Sequence, residues 1–227
     1  MKRIILIVGL FFIVLSVPIL CEATSVTIIN SGFEDPVDNK WFDNRWTYGI
    51  SDWSKSSGGV SGVYKPYNYS PSIFSNGIPE GVNAAWLNSG SISQILDYSL
   101  IANTSLTLSV DVGWRLDRES LEYEVQLWTA GSDNLFDNLL ASESSTTLVQ
   151  GEFVTSVLSY HVAASDEYIG EQLKIVLMNK NSERANQITF DKVMLTNHPA
   201  PVPEPSTMFL LGSGLLGLGC FIRKKKG

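Results

Sequence analysis

The chain has 227 residues, 44% of them hydrophobic and 17% charged, and a formal net charge of −7. Between Thr24 and Pro201 the acidic excess is larger, with 21 acidic against 10 basic residues. So acidic a surface repels nucleic acid and anionic lipid, and it is compatible with neutral glycans or bound Ca²⁺. We therefore expect no nucleic-acid partner.

The first 23 residues have the order of a secretory signal peptide. Lys2 and Arg3 precede an uncharged apolar run, Ile4–Leu20, and the small residues Cys21 and Ala23 occupy positions −3 and −1 of a cleavage site after Ala23. We predict that residues 1–23 are removed on export. The alternative is an N-terminal anchor that stays uncleaved.

Residues 24–198 are predicted to form one β-sandwich domain without disulfides. The two cysteines, Cys21 and Cys220, both lie in the terminal segments, so the exported part has none. Its length allows a sizeable core without covalent cross-links.

Period-2 patterns predict many short strands in this domain. In the clearest case, Leu108 and Val110 alternate with Ser109 and Asp111, which places the leucine and the valine in the core. Gly, Asn, Ser and Asp clusters typical of turns separate the segments. The fold class is therefore all-β, an antiparallel β-sandwich. The further predicted strands are Val26–Asn30, Ala84–Leu87, Ser91–Leu96, Glu122–Leu127, Phe153–Tyr160, Leu173–Met178 and Gln187–Thr196.

The last predicted strand contains an irregularity. Ile188 and Phe190 share one face, but the next apolar pair is Val193 and Leu195, so the alternation slips by one residue at Asp191. One extra residue restores the register, and we predict a β-bulge there.

Aromatic residues are concentrated between Trp41 and Phe74, among Gly, Ser, Asn and Pro typical of loops. Aromatic rings stack on the apolar faces of sugars, so this segment predicts a glycan-binding site. The alternative is that the rings fold back and pack over the sandwich. The candidate glycan-binding residues are Trp41, Trp46, Trp53 and Tyr64.

Short motifs at both ends of the domain add a family resemblance. Asn30–Glu34 reads Asn-Ser-Gly-Phe-Glu, Phe190–Leu195 reads Phe-Asp-Lys-Val-Met-Leu, and Ala85–Leu87 precedes a Gln-containing strand. Together they resemble galactose-binding-like, carbohydrate-binding-module jelly rolls. The resemblance implies a jelly-roll β-sandwich whose first and last strands lie side by side.

The same resemblance implies a structural Ca²⁺ at the rim between those two strands. Glu34 and Asp191 match the carboxylates of the two end motifs, and Asp35 could add a third. Calcium takes six to eight oxygen ligands, so backbone carbonyls at a bulge would complete the set. The alternative is that both carboxylates accept hydrogen bonds from nearby backbone. No other cofactor is expected.

Motifs for catalysis are sparse, and we expect no enzyme. The histidines are His161 and His198, and the exported part has no cysteine nucleophile. Glu122 and Glu124 share a strand face, a spacing compatible with a glycosidase pair but more typical of a solvated face.

The C-terminal segments form a tripartite signal. A linker, residues 199–207, contains Pro-Glu-Pro, and a 15-residue apolar run follows as Met208–Ile222. As a helix this run is about 22 Å long, which predicts a short transmembrane span within residues 208–227. The basic tail places the C-terminus in the cytoplasm. The signal residues are Val202, Pro203, Glu204, Pro205, Ser206, Thr207, Arg223, Lys224, Lys225 and Lys226.

This order resembles the PEP-CTERM sorting signal of exopolysaccharide-producing Gram-negative bacteria. The resemblance implies export through the inner membrane, a transient anchor there, and cleavage by an exosortase near Pro-Glu-Pro. The protein would then reach the cell surface or the extracellular matrix. The alternative is an ordinary C-terminal membrane anchor.

The sequence as a whole predicts an exported, non-catalytic β-sandwich with a structural or glycan-binding role, with exopolysaccharide or another glycan as its partner. The alternative function is a surface enzyme acting on polysaccharide.

Overall fold

A computed structural model describes residues 22–38, 40–68, 72–119, 122–131, 137–181, 186–199 and 213–214. Ala23–Pro199 form one compact unit, and Glu22 and the residues from Ala200 on belong to a second. Within the described ranges, no helix is long and apolar enough to cross a membrane. The predicted signal peptide up to Cys21, most of the predicted transmembrane span, the Pro-Glu-Pro motif and the basic tail lie outside those ranges.

The described part of the compact unit is all-β, with a 3-10 turn at Pro66–Asn68. Its strands are antiparallel throughout their named pairings. The strands are β1 (Thr24–Val26), β2 (Trp46–Tyr48), β3 (Ser54–Lys55), β4 (Val60–Tyr64), β5 (Ala84–Ser99), β6 (Thr104–Trp114), β7 (Tyr123–Ala130), β8 (Asn138–Ser145), β9 (Phe153–Val162), β10 (Gln172–Asn179) and β11 (Ile188–Pro199).

The strands form two layers joined by β5. In the first layer, β11 pairs with β6, which pairs with β9, and the first part of β5 pairs with β4 and β11. In the second, the rest of β5 pairs with β10, followed by β7 and β8. This near-closed, jelly-roll-like arrangement confirms the predicted fold class.

The change of layer within β5 occurs at Gly90. Its φ of 74° is in the left-handed region, and an added Cβ would lie 2.5 Å from the Ser56 hydroxyl. Glycine is therefore the residue that fits this bend. The sequence predicted two strands, Ala84–Leu87 and Ser91–Leu96, where the chain forms one bent strand.

The main core lies between the two layers. Leu108 and Val110 are fully buried on β6, while Ser109 between them is partly exposed, as the alternation predicted. Leu127 and Ile175 contribute the opposite face from β7 and β10. The predicted core face is confirmed.

The predicted β-bulge is also confirmed. The pairing of β11 with β6 shifts register between Asp191 and Met194, and Lys192 has a φ of 48°. On its other edge β11 pairs with β5 up to Phe190 and with β1 from Leu195 onward. The bulge therefore lies where β11 exchanges one neighbour for the other.

Candidate ligand cavity and rim cation site

A cavity of about 320 Å³ opens on the first layer. Residues from β2, β4 and β5 supply aromatic rings, and the segments after β6 and before β11 supply polar groups. A cavity of this size suits a ligand of one or two rings. It is lined by Trp46, Tyr48, Tyr64, Trp86, Asn88, Arg115, Arg118 and Gln187.

The aromatic wall of the cavity consists of rings that pack against one another. The Trp46 ring lies 5.0 Å from that of Tyr48 and 6.0 Å from that of Trp86, both edge-on. Phe42 stacks on Trp46 from outside the cavity, with centroids 4.4 Å apart. Such packing holds the Trp46 ring in place, so a ligand meets a preformed surface.

The polar side of the cavity is organised by Arg115, which is only 3% exposed. Its Nε and Nη2 donate to the two carboxylate oxygens of Asp117 at 2.8 and 2.7 Å, and its guanidinium lies 5.3 Å from the Tyr64 ring. Burial opposes ionisation of Asp117, but the hydrogen bonds and charge of Arg115 hold its pKa below the usual value. The pair is therefore an ion pair at neutral pH.

Two of the four predicted glycan-binding residues line the cavity, Trp46 and Tyr64. Trp53 is buried in the main core, where its ring packs 5.3 Å from that of Phe33. Trp41 packs against the main core, with the Lys65 ammonium 3.8 Å above its ring. The structure therefore divides the predicted set between the cavity and the core.

Sequence reasoning missed the cavity's other members. Trp86 lies in the predicted strand Ala84–Leu87 and was not among the candidate glycan-binding residues, yet it is both 4% exposed and part of the lining. No sequence motif indicated Arg115 or Gln187, because the hydrogen bond between them joins positions 72 residues apart. The sequence did contain one clue to the aromatic wall: Trp46 and Tyr48 are two residues apart, so in a strand their side chains lie on the same face.

The two rim carboxylates lie where the sequence placed them, beside the bulge. Glu34 Oε1 accepts hydrogen bonds from the Val82 and Asn83 amides at 2.8 and 3.0 Å. Gly81 allows this close approach, because a Cβ there would lie 2.0 Å from that oxygen. Both contacts join the loop after β1 to the segment before β5.

Asp191 is fully buried, and its Oδ2 accepts the Glu80 amide at 3.0 Å. Burial raises its pKa to about 8, and the charges of Glu80 and Glu34 act in the same direction, whereas its hydrogen bonds to the backbone amides of Glu80 and Lys192 oppose them. Glu34 and Glu80 are therefore near enough for their charges to act on Asp191, although Glu34 is only partly buried and Glu80 is exposed.

A second feature of the rim fits a cation. The Asn83 side-chain oxygen is buried and has no hydrogen-bond partner among the described residues, and Asn83 Nδ2 donates to the Glu34 carbonyl at 3.0 Å. Carboxylate and amide oxygens are ligands that Ca²⁺ prefers. However, among the described residues no group of three or more acidic, His or Cys side chains is arranged to hold a metal. Calcium at Glu34 and Asp191 stays a prediction, and Asp35 is exposed beside it.

The remaining sequence candidates have structural partners. Lys180 Nζ lies 3.1 Å from Glu122 and 3.4 Å from Glu124, so these glutamates share a cation on a partly exposed face. His161 Nδ1 bonds to the Ser105 hydroxyl at 3.1 Å, and His198 Nε2 to Thr196 at 3.3 Å. None of the four lines the cavity.

The fold and the cavity define a jelly-roll-like domain with an aromatic-lined cavity. Residues 24–196 match the family model described as HpiC1 cyclase, and the chain belongs to this HpiC1-like family. Residues 201–224 match the PEP-CTERM protein-sorting motif, which confirms the sorting signal. That motif implies export and processing by an exosortase.

Solved structures agree with the family. An apo cyclase from Fischerella sp. is 25% identical with a TM-score of 0.64, covering 79% of this chain and 98% of that one. The Stig cyclase FisC from Fischerella sp. TAU, in complex with (3Z)-3-(1-methyl-2-pyrrolidinylidene)-3H-indole, is 23% identical with a TM-score of 0.65, covering 79% and 100%. No curated protein matched the chain.

Carbohydrate-binding modules are more distant neighbours. The tandem CBM22-1–CBM22-2 domain of Paenibacillus barcinonensis Xyn10C is 12% identical with a TM-score of 0.50, covering 84% of this chain and 50% of that one. The predicted resemblance therefore held for the fold, whereas the family is that of the HpiC1 cyclases. The short end motifs indicated the fold but not the family, because one jelly-roll fold can carry many functions.

Proposed function

We propose that the protein is an exosortase-sorted cell-surface or matrix protein whose β-domain binds a glycan in the aromatic cavity without catalysing a reaction. The observation that supports this is the composition of the lining. It joins aromatic rings to amide and guanidinium groups, the side chains that stack on sugars and hydrogen-bond their oxygens. The amides do not titrate, and a guanidinium keeps its proton in proteins, so these groups bind rather than exchange protons.

A second candidate, a small-molecule enzyme, is favoured by the family itself. The related Fischerella cyclases are described with indole compounds, one of them 4-(1H-indol-3-yl)butan-2-one. A cavity of about 320 Å³ walled by Trp46, Tyr48 and Trp86 has room for an indole. On this reading the domain would act on an aromatic small molecule at the cell surface, in place of the polysaccharide enzyme that the sequence offered as its alternative.

Replacing Trp46 by alanine is expected to weaken glycan binding at least about fivefold, because it removes the ring at the centre of the aromatic wall. Loss of a stacking ring of this kind typically costs about 1 kcal/mol or more. Glycan-array screening of residues 24–199, followed by calorimetric titration of the best glycan, measures the effect. The compact unit has its own core and suits isolation.

Trp128→Ala is the matched control, since Trp128 is also partly exposed but lies on β7 in the second layer. It should leave affinity unchanged. Titration with 4-(1H-indol-3-yl)butan-2-one separates the candidates. Binding of that ketone with no glycan bound would favour the enzyme and contradict the glycan proposal.

Processing gives a separate prediction. The signal at Ala23 and the sorting motif should yield a surface protein that begins at Thr24 and lacks everything after the Pro-Glu-Pro region. Intact mass of the extracellular form measures both ends, and a strain without exosortase should retain the tail. A wild-type surface species that still carries Arg223–Lys226 would contradict the prediction.

A further inference from the structure

The polar groups of the cavity are oriented by one chain of hydrogen bonds. Arginine has only donors, so Gln187 must present its oxygen to Arg115, whose Nη1 donates to it. The Gln187 amide nitrogen is thereby turned toward Asn88, whose Oδ1 accepts it at 2.8 Å. Because arginine has only donors, it determines which way the side-chain amides of Gln187 and Asn88 are turned.

The end of this chain is a donor. With its Oδ1 occupied by Gln187, Asn88 is left with its Nδ2, which makes no hydrogen bond within the described part of the chain. Asn88 is partly exposed and lines the cavity. A ligand at this point therefore meets an N–H group, and an acceptor oxygen is the atom that satisfies it.

The charge of the cavity also favours a ligand group that accepts hydrogen bonds. Asp117 compensates Arg115 through two hydrogen bonds, which leaves the exposed Arg118 as the additional charge of the lining. Arg115, Asp117 and Arg118 together carry one net positive charge. A hydroxyl needs an acceptor for its own proton, whereas a carboxylate is satisfied by donors alone.

We propose that the cavity selects acidic sugars, with a uronate carboxylate at Asn88 and Arg118 and the sugar ring against Trp46 and Tyr48. This inference rests on the proposed glycan-binding function and specifies its ligand class. The partner would be an acidic exopolysaccharide. Because the domain as a whole is acidic, the two arginines of the lining mark the place where such a polymer can be accepted.

The test uses three matched probes for each of two sugars, glucose and galactose. They are the methyl uronoside, its C6 methyl ester and the neutral methyl hexoside, titrated into residues 24–199 and followed by NMR. The uronoside should bind at least tenfold more tightly than the hexoside. The ester, which keeps an acceptor but loses the charge, should lie between them, and added salt should weaken only the uronoside.

Asn88→Asp provides the decisive variant. The aspartate still accepts from Gln187 but presents an anionic oxygen where the donor was, so uronoside binding should fall at least tenfold. Asn103→Asp is the control, because Asn103 is exposed in the turn before β6, at the opposite end of that strand from Arg115, and its left-handed φ of 57° suits Asp. It adds the same charge and should change nothing.

The outcomes separate the two proposals. Hexoside binding as tight as that of the uronoside, lost in Trp46→Ala, would overturn the acidic-sugar inference and keep the glycan site. Uronoside binding that survives both Asn88→Asp and Trp46→Ala would place the sugar elsewhere and overturn both. An absence of binding by all six probes, with the glycan array also negative, would overturn the glycan function itself. Thermal melts of the variants confirm that each one is folded.

Discussion

Replacing Leu108 by alanine is expected to lower the free energy of unfolding by about 2–5 kcal/mol. Leu108 is fully buried at the middle of β6, where it pairs with Leu195 of β11 on one side and Leu158 of β9 on the other. Truncation leaves a cavity between two layers that are held in place by their strand pairings. Urea denaturation of residues 24–199 measures the loss.

Ser109→Ala is the control for this prediction, since Ser109 is the next residue of the same strand and is partly exposed. Its effect should stay within about 0.5 kcal/mol. Small and equal effects of the two substitutions would show that the face of β6 has been assigned wrongly.

The strands that the sequence predicted well are those with one buried face. Along β6, burial alternates with every residue from Thr104 to Val112, and the hydrophobic pattern carries that information directly. The bulge at Asp191 was equally readable, because one inserted residue shifts the pattern by one position. Both are local features that need no knowledge of partners.

Other strands had no comparable pattern. β8 is Asn138–Ser145, an edge strand with no buried residue, and its apolar residues are consecutive, so its sequence shows no alternation. β2 and β3 have three and two residues, too short for a period to appear. In β1 the predicted strand began at Val26, whereas the pairing with β11 covers Thr24–Val26.

The cavity could be predicted only in part, for a physical reason. Its aromatic wall comes from residues of a kind that composition reveals, but composition does not tell a stacking ring from a core ring. Trp53 and Trp46 lie seven positions apart in the same aromatic segment, and only the packing of Trp53 on Phe33 separates them. Arg115 and Asp117 are two positions apart, but the hydrogen bond from Arg115 to Gln187 joins positions 72 residues apart and has no local sequence signal.

Calcium is expected to raise the melting temperature of residues 24–199, and Glu34→Gln or Asp191→Asn should abolish the increase. A cation that binds only the folded state stabilises it by about 2.7 kcal/mol at a hundredfold excess over Kd. Glu34 and Asp191 approach from the two ends of the chain, so a shared ion would clamp the terminal strands. Melts in EDTA and in millimolar Ca²⁺ measure the difference.

Two controls make this result specific. Mg²⁺ should substitute poorly, because it is smaller and releases its water reluctantly. Glu122→Gln removes a carboxylate that pairs with Lys180 on the second layer, away from the rim, and should leave the calcium effect intact. Superimposable wild-type melts with and without calcium would leave both rim carboxylates as acceptors for backbone amides alone.

The pH dependence of the free energy of unfolding, measured in EDTA, tests the same carboxylates in a second way. Burial raises the pKa of Asp191 to about 8, so between about pH 4 and 8 the folded state holds a proton that the unfolded state has lost. Stability from this group is complete below pH 4 and is lost as the pH rises to 8, and Asp191→Asn should remove that part of the slope. Calcium binds the ionised carboxylate, so the increase in melting temperature that it causes should grow from pH 5 to pH 8. An increase that is independent of pH would place the ion away from Asp191.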